Sequence, residues 1–237
     1  MSAIWHDLEC GGYAEDIPLW RSLAAEEGGP VLDIGAGTGR IAVDLARQGH
    51  LVTALDNDGE LLSVLERRAG GLAVTTVLAD ARDFQLEESF ALIIVPMQTI
   101  QLLGGPEGRA AFLRRAGAHL RDGGLLVVTV SEILELYEPR EGAPAPLPDI
   151  RELHGVVYSS QPTAVRADGE GFVLERRREE VSVAGNRRVE SNSVRLDRLS
   201  TEQLEQEAQA AGLRPADRTS IPATREYVGS VAVMLRG

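Results

Sequence analysis

Val31-Leu32-Asp33-Ile34-Gly35-Ala36-Gly37-Thr38-Gly39-Arg40 sets three branched apolar residues around one acid and then places glycines at alternate positions, 35, 37 and 39. The pattern reads as a buried strand running into a tight turn, with a helix starting at Gly39 or Arg40. Glycines at such a turn permit positive φ and remove the Cβ atoms that would keep a ligand off the backbone. The amides that open the helix then face whatever sits in the turn. A nucleotide or nucleoside is the expected occupant.

The dinucleotide fingerprint Gly-x-Gly-x-x-Gly uses its third glycine to pack helix against strand. Here that third place is Arg40. Asp33, just ahead of the turn, would repel a pyrophosphate and suits a ligand that carries an ammonium or a sulfonium. With these residues the segment resembles motif I of the class I S-adenosylmethionine-dependent methyltransferases, Asp/Glu-x-Gly-x-Gly-x-Gly. The resemblance implies an α/β fold: a seven-stranded, mostly parallel Rossmann-like sheet with helices on both faces. It implies S-adenosylmethionine as cofactor, held by Asp33, Gly35, Ala36, Gly37, Thr38, Gly39 and Arg40. Arg40 stands in the first turn of a helix, against the dipole. It either meets a carboxylate or reaches solvent.

Downstream, Leu51 to Leu55 forms a second apolar strand that ends at Asp56-Asn57-Asp58. Asp56 lies 21 residues past Gly35 (56 − 35), the reach to the next strand end where an acid accepts from ribose hydroxyls. An acid after a strand is also a common helix cap, and Asp58, ahead of a helix from Gly59 to Arg68, is the better cap. Asp56, with Asn57 beside it, is the expected ribose site. Ala73 to Ala79 makes a third strand. The resemblance gives the next two residues, Asp80 and Ala81, to the adenine ring. Phe90 to Val95 is a fourth strand, apolar throughout and so buried on both faces. It runs into Pro96-Met97-Gln98-Thr99-Ile100-Gln101, beyond the carboxyl end of a central strand, where ligands of open α/β sheets bind. Pro96, Met97, Gln98 and Gln101 are candidates for cofactor contact, set against a connecting loop packed by Met97. Methyltransferases acting on bases and protein amides carry Asn-Pro-Pro-Tyr or a relative here. Its absence favours the small-molecule type.

Upstream, Pro18 opens an amphipathic helix that runs through Glu27 to Gly28-Gly29. Tyr13 and Trp20 either pack this helix onto the sheet or lie over the ligand with their ring faces near a cation. Residues 1–30 resemble the N-terminal lid of methyltransferases, and Tyr13 is the lid residue expected at the cofactor. A helix from Pro106 to Leu120 and a strand from Leu125 to Ser131 continue the alternation that marks a parallel sheet. Four prolines between 139 and 149 mark a loop or flap. Val156–Tyr158, Gly171–Val183 and Arg187–Leu196 look extended, with turn chemistry at Asp168-Gly169 and Gly185-Asn186. The expected organisation is one methyltransferase domain over 1–237, with an antiparallel β insertion at 139–198 on the substrate side. The insertion's Arg176-Arg177-Arg178 run is a solvated, paired face, or else an anionic-substrate or dimer surface. Ser200-Thr-Glu-Gln203 caps a helix ending at Gly212, and two final strands form a hairpin.

Composition bounds the function. The 237 residues carry a formal net charge of −12, 43% apolar and 25% charged residues. So acidic a chain is poorly suited to a phosphate backbone, and nucleic acid is not an expected partner. Cys10 is the sole cysteine, there is no basic-then-apolar leader, and no run of 18 apolar residues occurs. A cytoplasmic protein with no membrane partner is expected, with a homodimer through the insertion in prospect. No zinc-like Cys/His cluster and no phosphate loop is present, so no metal is expected. Methyl transfer needs mainly alignment and exclusion of water, with a base only for a protonated nucleophile. His6 and His154 are the histidines placed to serve as one, and no catalytic residue is assigned. His50 and His119 read as structural. The expected function is transfer of a methyl group to an O, N or C atom of a small molecule. Two alternatives stand beside it, a non-catalytic S-adenosylmethionine-binding protein and a nicotinamide-dependent oxidoreductase.

Overall fold

The computed structural model describes residues 3–138 and 145–237. Pro139 and Pro144 of the expected loop lie outside the described residues. The chain forms two compact units, one built from 13–132 with 199–237, the other from 4–12 with 133–198. Helix α1 (Ala3–Cys10) belongs to the second unit.

The first unit alternates helices and strands: α2 (Ile17–Glu27), β1 (Val31–Ile34), α3 (Ala42–Arg47), β2 (Val52–Asp56), α4 (Gly59–Ala69), β3 (Val74–Leu78), β4 (Phe90–Val95), α5 (Gly105–His119) and β5 (Leu120–Val130). The second unit then supplies β6 (Asp149–Leu153), β7 (Val156–Asp168), β8 (Gly171–Val181) and β9 (Arg187–Asp197). The first unit closes with α6 (Thr201–Ala210), β10 (Arg214–Ile221) and β11 (Ser230–Arg236). Its seven strands run in the order β10-β11-β5-β4-β1-β2-β3. The pairs among β1 to β5 are parallel, and β11 runs antiparallel between β5 and β10. Strand order reverses between β1 and β4, the place where open sheets of this kind bind ligands.

Burial on both faces explains the near-continuous apolar strands. Val31, Leu92, Ile94, Leu125 and Val127 enter the core with Trp20, Leu45 and Leu65 from α2, α3 and α4. The alternate residues Leu32, Ile34, Ile93, Val95, Leu126 and Val128 enter the opposite core with Phe112 and Leu113 of α5 and Leu204 of α6. His119 is structural: Leu86 N–H donates to its Nε2 at 2.9 Å, so Nδ1 carries the proton towards the Arg115 carbonyl at 2.7 Å.

Two boundaries differ from the sequence reading. The helix after the glycine turn starts at Ala42 and not at 39 or 40, because Gly39 sits at φ 90°, which no right-handed helix admits. Strand β5 begins at Leu120, five residues early, because Leu120 already pairs with Phe90 before an irregularity at Leu92 and Leu125. The Ser200 cap is as expected: its side chain accepts from Gln203 N–H and the Gln203 side chain returns the bond, a full capping box.

The second unit is a four-stranded antiparallel sheet in the order β6-β7-β8-β9, with tight turns after Asp168 and at Gly185. β7 runs ten residues beyond the expected 156–158, across Pro162, and β6 was not foreseen. A proline demotes a strand in sequence, yet here the ladder shifts register between Pro162 and Ala164, which absorbs the missing donor. Helix α1 lies on the sheet face that carries Tyr158, Ser160 and Arg178. The Trp5 and Tyr158 rings meet edge to face at 5.5 Å, and Glu9 accepts from Arg178 at 2.8 and 2.9 Å and from Ser160 at 2.7 Å.

Candidate active site

The glycine turn is tied down from beneath. Gly35 N–H and Ala36 N–H both donate to the Leu55 carbonyl, at 2.8 and 3.0 Å, and Gly37 N–H donates to Asp56 Oδ2 at 2.8 Å. Gly39 N–H closes on the Ala36 carbonyl at 2.9 Å. These four amides are therefore engaged within the protein, in contrast to the open row of amides expected from the sequence. A turn so satisfied is a poor phosphate nest. What it offers is bare peptide, with Gly35 exposed at its mouth.

Gly35 and Gly39 are held to glycine by different neighbours. A Cβ on Gly35 would lie 2.6 Å from Thr99 Cγ2, and Gly35 has φ 73°. A Cβ on Gly39 would lie 2.8 Å from Leu65 Cγ in α4. Gly39 thus does the helix-packing work of the third glycine in a dinucleotide fingerprint, although Arg40 holds that place in sequence.

Asp33, on the same sheet face as Val31, is 1% exposed. The Ala42 amide bonds its carboxylate, while its Oδ1 has no hydrogen-bond partner among the described residues. Burial pushes its pKa up to about 7; Arg40 opposes the rise, and the nearby Asp56 and Asp16 add to it. A buried carboxylate with an orphan oxygen calls for a donor, and best for a cationic one. Asp56, also buried, accepts from Gly37 and, through Oδ1, from Asp58 N–H at 3.0 Å. Asp58 caps α4 through Glu60 and Leu61, as expected. Asn57 is exposed on the surface.

Arg40 does meet a carboxylate, that of Asp16. Its guanidinium donates at 2.5 and 2.8 Å to the two Asp16 oxygens and at 3.1 Å to the Tyr13 carbonyl, and stacks 5.2 Å from the Tyr13 ring centroid. Tyr13 is buried against Tyr227, with ring centroids 5.0 Å apart. Burial raises its phenol above the usual value, Asp16 adds to the rise, and a Ser230 hydrogen bond opposes it. Trp20 is fully buried in the core of α2, the packing alternative for that ring. Asp80 is half-buried, and Arg82 grips its carboxylate at 2.6 to 3.1 Å, which lowers its pKa. Ala81 is half-buried beside it.

After β4, Pro96 is buried and Met97 adopts φ 56°. Thr99 donates to the Pro96 carbonyl at 3.0 Å as its methyl covers Gly35, which ties this turn to the glycine turn. Gln98 Nε2 donates to Ser131 Oγ at 3.0 Å. Gln101 is buried, and its amide pairs with the backbone of Ser131 in both directions, at 2.9 and 3.2 Å. Its side chain therefore serves the scaffold and not the pocket, a departure from the expectation placed on it. The structure brings Asp33, the glycine turn, Asp56, Arg40, Tyr13 and the Pro96–Thr99 turn to one edge, and leaves Asn57 and the Gln101 side chain apart. Asp16 and Thr129 escaped the sequence reading, since Asp16 looks like a helix cap and Thr129 like one more strand residue. Asp16 in fact makes no side-chain cap bond. Among the described residues no group of three acidic, His or Cys side chains could hold a metal.

Residues 31–124 match the family model described as a methyltransferase domain. That segment is thus similar in sequence to methyltransferase domains. The curated relatives agree over part of their length. The chain is 34% identical over 98 residues to the cypemycin N-terminal methyltransferase of a Streptomyces species, covering 41% of this chain and 40% of that one. It is 32% identical over 124 residues to a probable cobalt-precorrin-6B C(15)-methyltransferase of Thermoplasma volcanium, covering 49% and 61%. The chain thus spans 40% and 61% of the length of these two relatives, under two thirds of each. Among solved structures, the sugar N-methyltransferase KedS8 of a Streptoalloteichus species superposes with TM-score 0.76 at 19% identity, over 97% of this chain and 90% of that one. CalS10, an amino pentose methyltransferase of Micromonospora echinaspora, gives 0.71 at 21%, over 98% and 97%. Both likenesses speak for the fold.

The site fits S-adenosylmethionine. An orphaned, buried carboxylate oxygen at Asp33 matches a cationic ligand, and Asp56 and the bare peptide of Gly35 match an uncharged ribose. The spent amides do not match a diphosphate.

Proposed function

We propose that the protein moves a methyl group from S-adenosylmethionine to an O, N or C atom of a small molecule by in-line displacement. The observation that carries this reading is Asp33, buried, with an oxygen that no described group satisfies, beside a turn whose amides are already used. When bound, the cofactor supplies a methyl group activated by its own sulfonium. The chain's residues have the simpler tasks of holding and orienting. Asp33 offers charge to the cationic end, Asp56 accepts from ribose hydroxyls with the oxygen capacity its two amide bonds leave, and Asp80 and Ala81 border the adenine. Gly35 to Arg40, Tyr13 and Pro96 to Gln98 wall the pocket against water, which protects an alkylating group from hydrolysis. Asn57 and Gln101 act in this reading through their backbone or as scaffold.

The methyltransferase-domain match ends at residue 124, so acceptor choice is assigned by this proposal to the antiparallel unit, where His6 and His154 also lie. The names of the cypemycin, amino pentose and sugar N-methyltransferases put amines first among acceptors to try. The net charge of −12 supports a small molecule over a nucleic acid as partner. The single cysteine supports a cytoplasmic setting, and no described helix is long and apolar enough to cross a membrane. The register sets Ile150, Val157, Val181 and Val189 on one face of the antiparallel sheet, opposite α1, with Ile150 63% exposed. That patch supports a homodimer.

The test is transfer of labelled methyl from S-adenosylmethionine across a panel of amino sugars, peptide amines, phenols and carbon acids. Turnover with any acceptor, lost in Asp33→Asn, supports the reading. Binding without transfer to any acceptor leaves the non-catalytic alternative, and binding of NAD in its place overturns both.

A further inference from the structure

We propose that Thr129, a residue of β5 with no place in the cofactor reading above, is the positioning residue that fixes the Pro96–Thr99 wall of the pocket. The inference rests on that reading. Thr129 is the lone hydroxyl in the run Leu125-Leu126-Val127-Val128-Thr129-Val130 and is 1% exposed. The β4–β5 ladder ends at the pair Val95 and Val128, because the next residue of β4 is Pro96, which has no N–H. Beyond that pair the backbone would splay. Instead Met97 turns into the left-handed region at φ 56°, which its Cβ disfavours, and its carbonyl swings back to β5. Thr129 Oγ1 donates to that carbonyl in a short bond and lies 3.2 Å from the Val95 carbonyl. The hydroxyl thus takes over where the ladder stops and holds the unfavourable backbone in place.

The rest of the turn is clipped independently. Thr99 Oγ1 bonds the Pro96 carbonyl, Gln98 bonds Ser131 Oγ, and Gln101 bonds the Ser131 backbone. The Met97 carbonyl has only Thr129 among these ties, so one substitution releases it and spares the others. Thr129→Val keeps the shape, removes the donor and strands a part-buried carbonyl. Thr129→Ser keeps the donor and loses a methyl group. The two variants separate positioning from packing.

The experiment is a calorimetric titration of S-adenosylhomocysteine into wild type, Thr129→Val and Thr129→Ser, with thermal midpoints measured on the same samples without ligand. The expected result is affinity weakened roughly tenfold in Thr129→Val and within twofold of wild type in Thr129→Ser, with thermal midpoints that do not follow that order. Should Thr129→Val bind as wild type does, or should affinity follow the thermal midpoint in both variants, Thr129 is a core residue only and the proposal fails. Should wild type itself not bind, the cofactor reading fails and takes this proposal with it.

Discussion

Asp33 holds the least comfortable charge in the first unit, and its titration gives a signed prediction. In the folded state burial pushes its carboxyl up to about 7, above the ordinary aspartate value of 3.8. Between those values the folded state holds a proton that the unfolded chain has released, so this group's contribution falls as pH rises through the window. The span corresponds to roughly 4 kcal/mol at most, by the usual conversion of pKa into free energy. Asp33→Asn removes the titration. The difference between wild-type and variant unfolding free energies, measured by urea titration, should therefore move by a few kcal/mol between pH 4.5 and 7.5, the variant gaining at the alkaline end. Parallel curves would show that the carboxylate is solvated or paired. A ligand ammonium beside the carboxylate removes the same penalty, so S-adenosylhomocysteine, through its amino group, should raise the thermal midpoint of wild type more than that of Asp33→Asn at pH 8. At this scale the glycine turn and the strand-end acids Asp33 and Asp56 were legible, because glycine spacing and strand-end acids are local signals. It did not show that Arg40 is taken up by Asp16, or that Gln101 faces β5, since those are partnerships across 24 and 30 residues.

Helix α1 is an element the sequence reading passed over, for it is eight residues long and its tie to the sheet is made by charge. Glu9 accepts two bonds from Arg178, whose side chain is 5% exposed, and that guanidinium lies 5.4 Å from the Trp5 ring centroid. Burial alone would raise the Glu9 pKa, but the Arg178 and Ser160 hydrogen bonds outweigh it and the net shift is downward. The stabilisation from this group is present above the usual glutamate range and is lost as pH falls through the lowered folded value. Glu9→Gln leaves Arg178 buried without its counter-charge, and removing one partner of such a pair costs about 3 to 5 kcal/mol. Urea unfolding followed by the fluorescence of Trp5 in a Trp20→Phe background should show that loss, and a shift under 1 kcal/mol would mean α1 is not docked by this pair. The parallel strands were legible because both of their faces are buried and their apolar runs are unbroken. β6 and the long β7 were not, because charged residues and Pro162 interrupt the alternation that marks a strand, and pairing across a register shift is not written in any local window.

Taken whole, the molecule contains a mostly parallel α/β unit and an antiparallel unit with its own small core of Leu134, Phe172 and Leu196. If the Ile150–Val189 face of the latter joins two copies, Val189→Arg should convert a dimer to a monomer in sedimentation equilibrium while leaving cofactor affinity within twofold. A wild-type monomer at the same concentration would remove that interface from the account. The fold class was legible from one end of the molecule because a strand, a glycine turn and a second strand end recur at fixed spacing; acceptor identity was not, because it resides in side chains that no spacing rule orders. An equilibrium titration of S-adenosylhomocysteine into wild type and Asp56→Ala, with NAD as control, probes the nucleoside pocket itself. Wild type should bind saturably and one to one, Asp56→Ala should lose tenfold or more in affinity, and NAD should not bind. Equal affinity in the two proteins, or preference for NAD, would contradict the cofactor reading.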